Sequence, residues 1–503
     1  MPLTRRNFLT TTAAGSLATS FVGGGHDDLA ADEPEASRPE ARRADPRAPN
    51  ILWICTDQQR YDTIGSLNNP HLRTPHLDRL VSQGVAFTHA YCQSPICTPS
   101  RASFLTGHYP STLRNCINGN ASWSDARPLV TRLLADAGYD CGLAGKYHLS
   151  SAQGRIEPRA DDGYREFHWS HHPPDDWPKG HAYADWLKSQ GANYTKLHKR
   201  LGYIPTELHQ TTWCANQAIQ FMRQERDRPW LFSFNCFDPH PPFDPPKEFV
   251  DRFDVAKLPG PLFRESDLAA QARLAQVNFQ SKPERPEKLD CRKHQAMYWA
   301  QIELIDQNVG RMLDALEETG QRDNTIVIFT SDHGDATGDH GLRAKGCRFY
   351  EGLVRVPLII SCKSRFRSGV RGSALVELTD LAPTLLDAAG VAGSEKMQGR
   401  SLLPILSGTT PADQHRETVR SEYYRVLDGP QTYATMIRDG RFKLVAYHGL
   451  NLGELFDLEN DPGEFDNLWD DSNYADVRFK LLSRNFDALA LATDTGSERV
   501  GRY

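Results

Sequence analysis

Four pairs of polar residues carry the chemistry this chain could do: Asp57-Gln58, Lys146 with His148, Asp238 with His240, and Asp332-His333. Carboxylates, an amide oxygen and imidazole nitrogen are ligands for a divalent cation, while lysine and neutral-pH histidine hold anions and move protons. A fifth stretch, Cys97-Thr98-Pro99-Ser100-Arg101, reads as the start of a short helix, with Thr98 as N-cap, Pro99 as first helical residue and Gly107 as its end. Cys97 then sits where unpaired backbone N–H groups and the positive end of the helix dipole favour an anion, with the Arg101 cation one turn further on. That arrangement suits a nucleophile beside an anion cradle. The plainer alternative for a single cysteine is a small buried apolar residue.

Each polar pair follows an element that would position it. Residues 50–56, 230–237 and 325–330 are apolar runs of strand length, read as strands buried on both faces, and 139–145 reads as a glycine-rich strand that lets other backbone approach closely. Helical periodicity over 75–84, 128–137, 207–223, 294–318 and 379–389 separates them. Such alternation predicts an α/β fold with a large, mostly parallel sheet flanked by helices, in which ligands bind beyond the carboxyl ends of the strands. Lys146 and His148, two apart in an extended segment, are expected to face one pocket while Tyr147 faces away. Taken alone, Asp57 is equally a turn residue capping the next segment.

Residues 150–206 show no clear period and read as an insertion over the carboxyl-end face, where substrate choice would be set. Its His168, His171, His172 and His181 lack regular metal-ligand spacing, so surface or substrate-contact roles are expected. Residues 245–290 read as a polar excursion. After about residue 410 the pattern changes to a hairpin over 432–447 with a primed turn at Asp439-Gly440, another strand at 454–458 and a closing helix over 474–491. This predicts a smaller C-terminal α+β domain containing an antiparallel sheet.

The 503 residues carry a net charge of -6, so nothing draws the chain globally to nucleic acid or to an anionic membrane. No apolar run beyond the N-terminus reaches spanning length. Arg5-Arg6-Asn7-Phe8-Leu9 is a twin-arginine pattern ahead of a weakly apolar stretch, giving a signal peptide over 1–31 and a linker over 32–47. Export in folded form by the twin-arginine (Tat) machinery, to a periplasmic or secreted location, is the expectation. Folding first in a reducing compartment argues for few or no disulfides among the ten cysteines.

Cys97-Thr98-Pro99-Ser100-Arg101 resembles the Cys-x-Pro-x-Arg signature of the formylglycine-dependent sulfatases of the alkaline phosphatase superfamily. The resemblance covers roughly residues 48–470 and implies a catalytic domain over 48–405 and a small domain over 410–503. It implies oxidation of Cys97 to formylglycine (3-oxoalanine) by a formylglycine-generating enzyme. It also implies one divalent cation bound by Asp57, Gln58, the modified Cys97, Asp332 and His333. Calcium is the expected ion. Many sulfatases have Asn where His333 stands, and that imidazole keeps Mn²⁺ in view, with Mg²⁺ a further oxygen-site alternative.

By the same resemblance Arg101 holds the hydrated aldehyde, Lys146, His148 and Lys345 bind sulfate oxygens, and His240 or Lys345 protonates the departing alcohol. One hydroxyl of the hydrate attacks sulfur and the other, deprotonated, expels sulfate and restores the aldehyde. The implied activity is hydrolysis of an aryl, choline or carbohydrate sulfate monoester. The nearest rival is a phosphonate monoester or phosphodiester hydrolase of the same superfamily, whose members tend to lack the Lys-x-His pair. A rival of another class is a catalytically silent, exported carbohydrate-binding protein.

Overall fold

The computed structural model describes residue 45 and residues 47–114, 116–125, 127–173 and 177–493. The twin-arginine segment and nearly all of the linker lie outside the described residues. Twelve strands are present among these residues. They are β1 (Asn50–Thr56), β2 (Val85–Tyr91), β3 (Asp140–Gly145), β4 (Glu166–Trp169), β5 (Trp230–Asn235) and β6 (Thr325–Ser331). They continue with β7 (Arg355–Ser361), β8 (Val370–Glu377), β9 (Val419–Tyr424), β10 (Tyr433–Arg438), β11 (Phe442–Tyr447) and β12 (Leu452–Asp457).

The first eight form one sheet in the order β4-β3-β5-β1-β6-β7-β2-β8. All neighbours are parallel except at β7, which runs antiparallel to both β6 and β2. The alternation along β1 shows how the sheet is covered. Ile51, Trp53 and Cys55 enter one apolar core, and Leu52 and Ile54 enter the other. The second core is closed by the helix Cys291–Glu318, which contributes Ile305, Val309, Met312 and Leu316 at helical spacing. The first is closed in part by Leu381–Ala389 with Leu381, Leu385 and Leu386. Each such large side chain contributes about 1.5–3 kcal/mol by leaving water.

The stretch 150–206 is not the unpatterned cover expected from sequence. It supplies β4, the edge strand of the sheet, and the helices Ala182–Ser189 and Tyr194–Leu201. The excursion over 245–290 likewise holds the helix Ser266–Arg273.

The last four strands form an antiparallel sheet in the order β12-β11-β10-β9, backed by the helix Ala475–Leu491. The hairpin between β10 and β11 is present, but its turn is not primed. None of Asp439, Gly440 and Arg441 has positive φ. Asp439 Oδ1 instead accepts the N–H groups of Arg441 (2.9 Å) and Phe442 (2.8 Å), an Asx-type turn that needs no left-handed residue. All ten cysteines are free and buried. No helix among the described residues is long and apolar enough to cross a membrane.

Candidate active site

The four strands that end in polar residues are neighbours at the centre of the sheet, so their carboxyl ends open onto one space. Asp57 and Gln58 leave β1, and Asp332 and His333 leave β6. Lys146 leaves β3, and the turn carrying His240 leaves β5. Gly145 allows this crowding: its φ is +110°, and a Cβ there would lie 1.9 Å from the Asn235 carbonyl oxygen. Lys146 N–H donates to that carbonyl (2.8 Å) and Asn235 Nδ2 donates back to the Lys146 carbonyl (2.9 Å), which fixes where the lysine departs.

Cys97 is the first residue of the helix Cys97–Thr106, entered from extended Ile96 with no side-chain cap. Thr98 is therefore not the N-cap. Its N–H is taken by Asn118 Oδ1 (3.0 Å), while Gly107, at φ 72°, ends the helix as expected. The displacement by two residues puts Cys97 inside the first turn and turns its sulfur into the cluster. Lys345 Nζ lies 2.8 Å from Sγ, His333 Nε2 3.1 Å and Lys146 Nζ 3.5 Å.

Burial pushes the Cys97 thiol up, but Lys146 and Lys345 outweigh it and hold the group well below the usual thiol range. The site thus stabilises negative charge on the side chain at position 97. Asp57 behaves the same way: burial opposes its charge, and Lys146, His240 and Lys345 still hold it well below the ordinary carboxylate range. Lys345, though buried, is raised above its usual value by Cys97, Asp57 and Asp332 and stays charged.

Asp57, Cys97, Asp332 and His333 are all buried, with their ligand atoms within 4.8 Å of one another. Gln58 joins them from a left-handed backbone at φ 71°. Its Nε2 donates to Asp335 and its buried Oε1 has no hydrogen-bond partner. His333 gives Nδ1–H to the Gly334 carbonyl (2.8 Å), which leaves the Nε2 lone pair facing inward. Two carboxylates, an unpartnered amide oxygen and an inward imidazole lone pair fit a divalent cation. Arg101 closes the floor. Nε donates to Asp332 Oδ2 (2.9 Å), Nη1 to the Lys146 carbonyl (3.0 Å), and the buried Nη2 has no hydrogen-bond partner.

Lys146 and His148 do reach the same space, but not by strand alternation. His148 stands at φ 57°, and Glu157 accepts the N–H groups of His148 (2.8 Å), Leu149 (2.6 Å) and Ser150 (2.8 Å) to hold that kink. Tyr147 points away into the aromatic contact with Tyr164 and Phe167. Burial, then the charge of Lys146, push His148 down to about 4. His240 is pushed to about 3 by burial and Lys345, and its Nδ1–H is given to the Pro241 carbonyl (2.6 Å). His240 is therefore neutral with a lone pair at Nε2, and Lys345 is the charged group beside the nucleophile.

Asp238 turns away from this space. Its carboxylate packs with His209, Thr211 and Gln301, and it reaches the site only through its carbonyl, which accepts the Asp57 N–H (3.1 Å). The histidines at 168–181 divide. His181 is fully buried: Nδ1 caps the helix Ala182–Ser189 by accepting from Ala184 N–H, and Nε2 lies 2.9 Å from the His171 backbone nitrogen. It is structural, neither surface nor substrate-contacting. His168 is half-buried beside Glu166, and His171 meets His148 edge to face at 4.8 Å. Three supporting residues carried no signal in the sequence: Asp335 behind Gln58, Glu157 behind His148, and Tyr298, whose hydroxyl donates to the Gln58 carbonyl (2.7 Å).

A mostly parallel sheet whose central strand ends gather carboxylates, imidazole and cations around one nucleophile defines a hydrolase of the alkaline phosphatase superfamily. The family model described as Sulfatase matches residues 49–391, and one described as N-sulphoglucosamine sulphohydrolase, C-terminal, matches residues 338–489. The chain belongs to the sulfatase family and is an enzyme of sulfate ester hydrolysis. It is 29% identical to an arylsulfatase of Clostridium perfringens over 90% of this chain and 98% of that protein. It is 31% identical to a choline-sulfatase of Rhizobium meliloti over 84% and 82%. Among solved structures, a phosphonate monoester hydrolase from Silicibacter pomeroyi superposes with a TM-score of 0.77 at 25% identity, covering 89% of this chain and 96% of the other. Membership of an enzyme family replaces the reading as a silent binding protein.

Proposed function

We propose that the protein hydrolyses sulfate monoesters of a small molecule or saccharide through residue 97, after oxidation of Cys97 to formylglycine, with one divalent cation held by Asp57, Gln58, residue 97, Asp332 and His333. The observation that carries this reading is the convergence of Lys345 and Lys146 on the Cys97 side chain, beside an Arg101 Nη2 with no hydrogen-bond partner. These groups would stabilise an oxyanion where they now stabilise a thiolate. The cation would supply Lewis-acid polarisation of the sulfate and favour the charged nucleophile. Calcium suits the four oxygen donors, and the His333 imidazole widens the choice to Mn²⁺, with Mg²⁺ the remaining alternative.

Each side chain then has one task. Arg101 orients the nucleophile, and Lys146 and His148 hold sulfate oxygens. Lys345 neutralises a third oxygen and gives its proton to the departing alcohol, whose O–H His240 Nε2 then accepts. The catalytic domain is assigned to 48–405 and the small domain to 410–503. Maturation by a formylglycine-generating enzyme and export through the twin-arginine route to the periplasm or beyond complete the proposal.

The likeness to a phosphonate monoester hydrolase keeps one second reading in view. Comparing an aryl sulfate with an aryl phosphonate monoester separates the two. A large preference for the sulfate is expected, and a large preference for the phosphonate would replace the proposal.

A further inference from the structure

A cavity of about 440 Å³ is lined by residues that directly adjoin His240 and Lys345 in the chain and by Asp335, the partner of Gln58. Its size lies within the range of about 300–1,000 Å³ usual for small-molecule sites. One wall is Pro241, Pro242 and Phe243, which follow His240 directly in the chain. The opposite wall is Gln280, Ser281, Arg343 and Ala344, and Ala344 directly precedes Lys345. Asp335, whose carboxylate is engaged by Gln58 Nε2 and Thr337 N–H, also lines it.

The second wall is stapled. Gln280 N–H donates to the Lys345 carbonyl (3.1 Å), Arg343 N–H donates to Ser281 Oγ (2.9 Å), and Phe279 bridges to Gly346. Ala344, at φ 65°, kinks the backbone between Arg343 and Lys345. Lys345 is consequently buried on the nucleophile while Arg343 is exposed. The first wall is anchored too: the Phe243 ring meets Tyr298 edge-on, and the Tyr298 hydroxyl holds the Gln58 carbonyl.

Arg343 has no carboxylate within ion-pair distance among the described residues. Its guanidinium makes only long approaches of 3.5 Å to the Leu289 carbonyl and to His294 Nδ1. Burial and the Arg343 charge both push His294 down, so it is a neutral neighbour that does not answer the cation. An apolar wall facing an uncompensated guanidinium is a site for a ring with an anionic substituent. The rigid fork of arginine favours sulfate or carboxylate over a neutral hydroxyl.

We infer that this cavity seats the alcohol half of the substrate, and that Arg343 selects sugars bearing a second sulfate or a carboxylate beside the scissile ester. The inference rests on the reading of residue 97 as a sulfate-ester nucleophile. In this arrangement the scissile sulfate lies on Lys146 and Lys345, the sugar ring packs on Pro241, Pro242 and Phe243, and the second anion meets Arg343.

The test measures matured wild type, Arg343→Ala and Arg343→Lys with an aryl sulfate, a neutral hexose monosulfate and a hexose disulfate. Binding of the desulfation product that keeps its second sulfate is followed by calorimetry. Wild type should show a KM for the disulfate at least about tenfold below that for the monosulfate, the scale of one charge-assisted hydrogen bond. Arg343→Ala should erase that difference and weaken product binding by a similar factor. It should leave kcat and the aryl sulfate reaction within about twofold, and Arg343→Lys should restore part of the preference. Equal KM values for the two sugars in wild type, or an unchanged preference in Arg343→Ala, would overturn the inference. Failure of the underlying reading looks different: no sulfate ester would be turned over, while the product would still bind through Arg343.

Discussion

Two clusters of buried charge lie in this protein, and they are built on opposite plans. The cluster around Glu351 joins the large sheet to the antiparallel one. Glu351 Oε1 takes Lys443 Nζ (3.1 Å), and Oε2 takes Tyr91 Oη (2.8 Å), Arg355 (3.3 Å) and Arg438 (3.3 Å). Lys443 is completed by the Phe349 carbonyl (2.7 Å) and Glu464. The cations there are spread over several acceptors of the fold itself, although Arg438 Nε is left with no hydrogen-bond partner. Around Cys97 the cations converge on one side chain, while Arg101 Nη2 and Gln58 Oε1 remain buried with no hydrogen-bond partner. Leaving a buried polar group unpaired costs about 1–3 kcal/mol, so what marks the Cys97 site is that its unpaired atoms lie beside cations gathered on one nucleophile. The contrast separates charge that holds a fold from charge that awaits a substrate.

Substitutions should divide along the same line. Cys97→Ala should lower turnover by roughly 10³-fold or more while melting changes little, because the nucleophile is lost and the fold is not. Retained turnover would remove position 97 from the chemistry. Lys345→Ala should cost roughly 10²–10³-fold in kcat, with the greater loss for alcohols that leave poorly, as expected for a group that both neutralises and protonates. A uniform loss across good and poor leaving groups would strip it of the proton.

In the other cluster Lys443→Met should destabilise the protein by about 3–5 kcal/mol, since it strands buried Glu464 without its cation and leaves Glu351 only the cations Arg355 and Arg438. The specific activity of the remaining folded protein should be unchanged. Loss of activity without loss of stability would erase the contrast. The smallest effect concerns His89, which burial and the neighbouring Arg355 and Arg438 push to about 4. Between about pH 4 and 6.5 the unfolded chain binds the extra proton, so stability is present above that window and falls as pH drops through it. Denaturant titrations of His89→Asn should therefore show a shallower fall over that window, by less than one proton. An unchanged slope would contradict this assignment.

Much of the site was legible because β1, β5 and β6 are unbroken apolar runs, and each hands the chain to polar residues within a few positions. The same logic misplaced Asp238, since a residue at a strand end can turn either way, and this one turned toward His209 and Gln301. The helix at Cys97 begins two residues early because Ile96 enters it in extended geometry without any side-chain cap, leaving no cap signal to read. Strands β4 and β8 escaped notice for a different reason. The first is four residues long among tryptophan and histidine, and the second is interrupted by Gly372 and Ser373, so neither shows a sustained period. Asp335, Glu157 and Arg343 act through tertiary neighbours that no local spacing encodes.

The central claim concerns the chemical identity of residue 97. Mass analysis of the peptide spanning Pro95 to Arg101, taken from protein matured alongside a formylglycine-generating enzyme, tests it most directly. The proposal predicts the mass of an aldehyde in place of the thiol, together with trapping by a hydrazide reagent. An active enzyme whose peptide carries only an unmodified, alkylatable cysteine would contradict it.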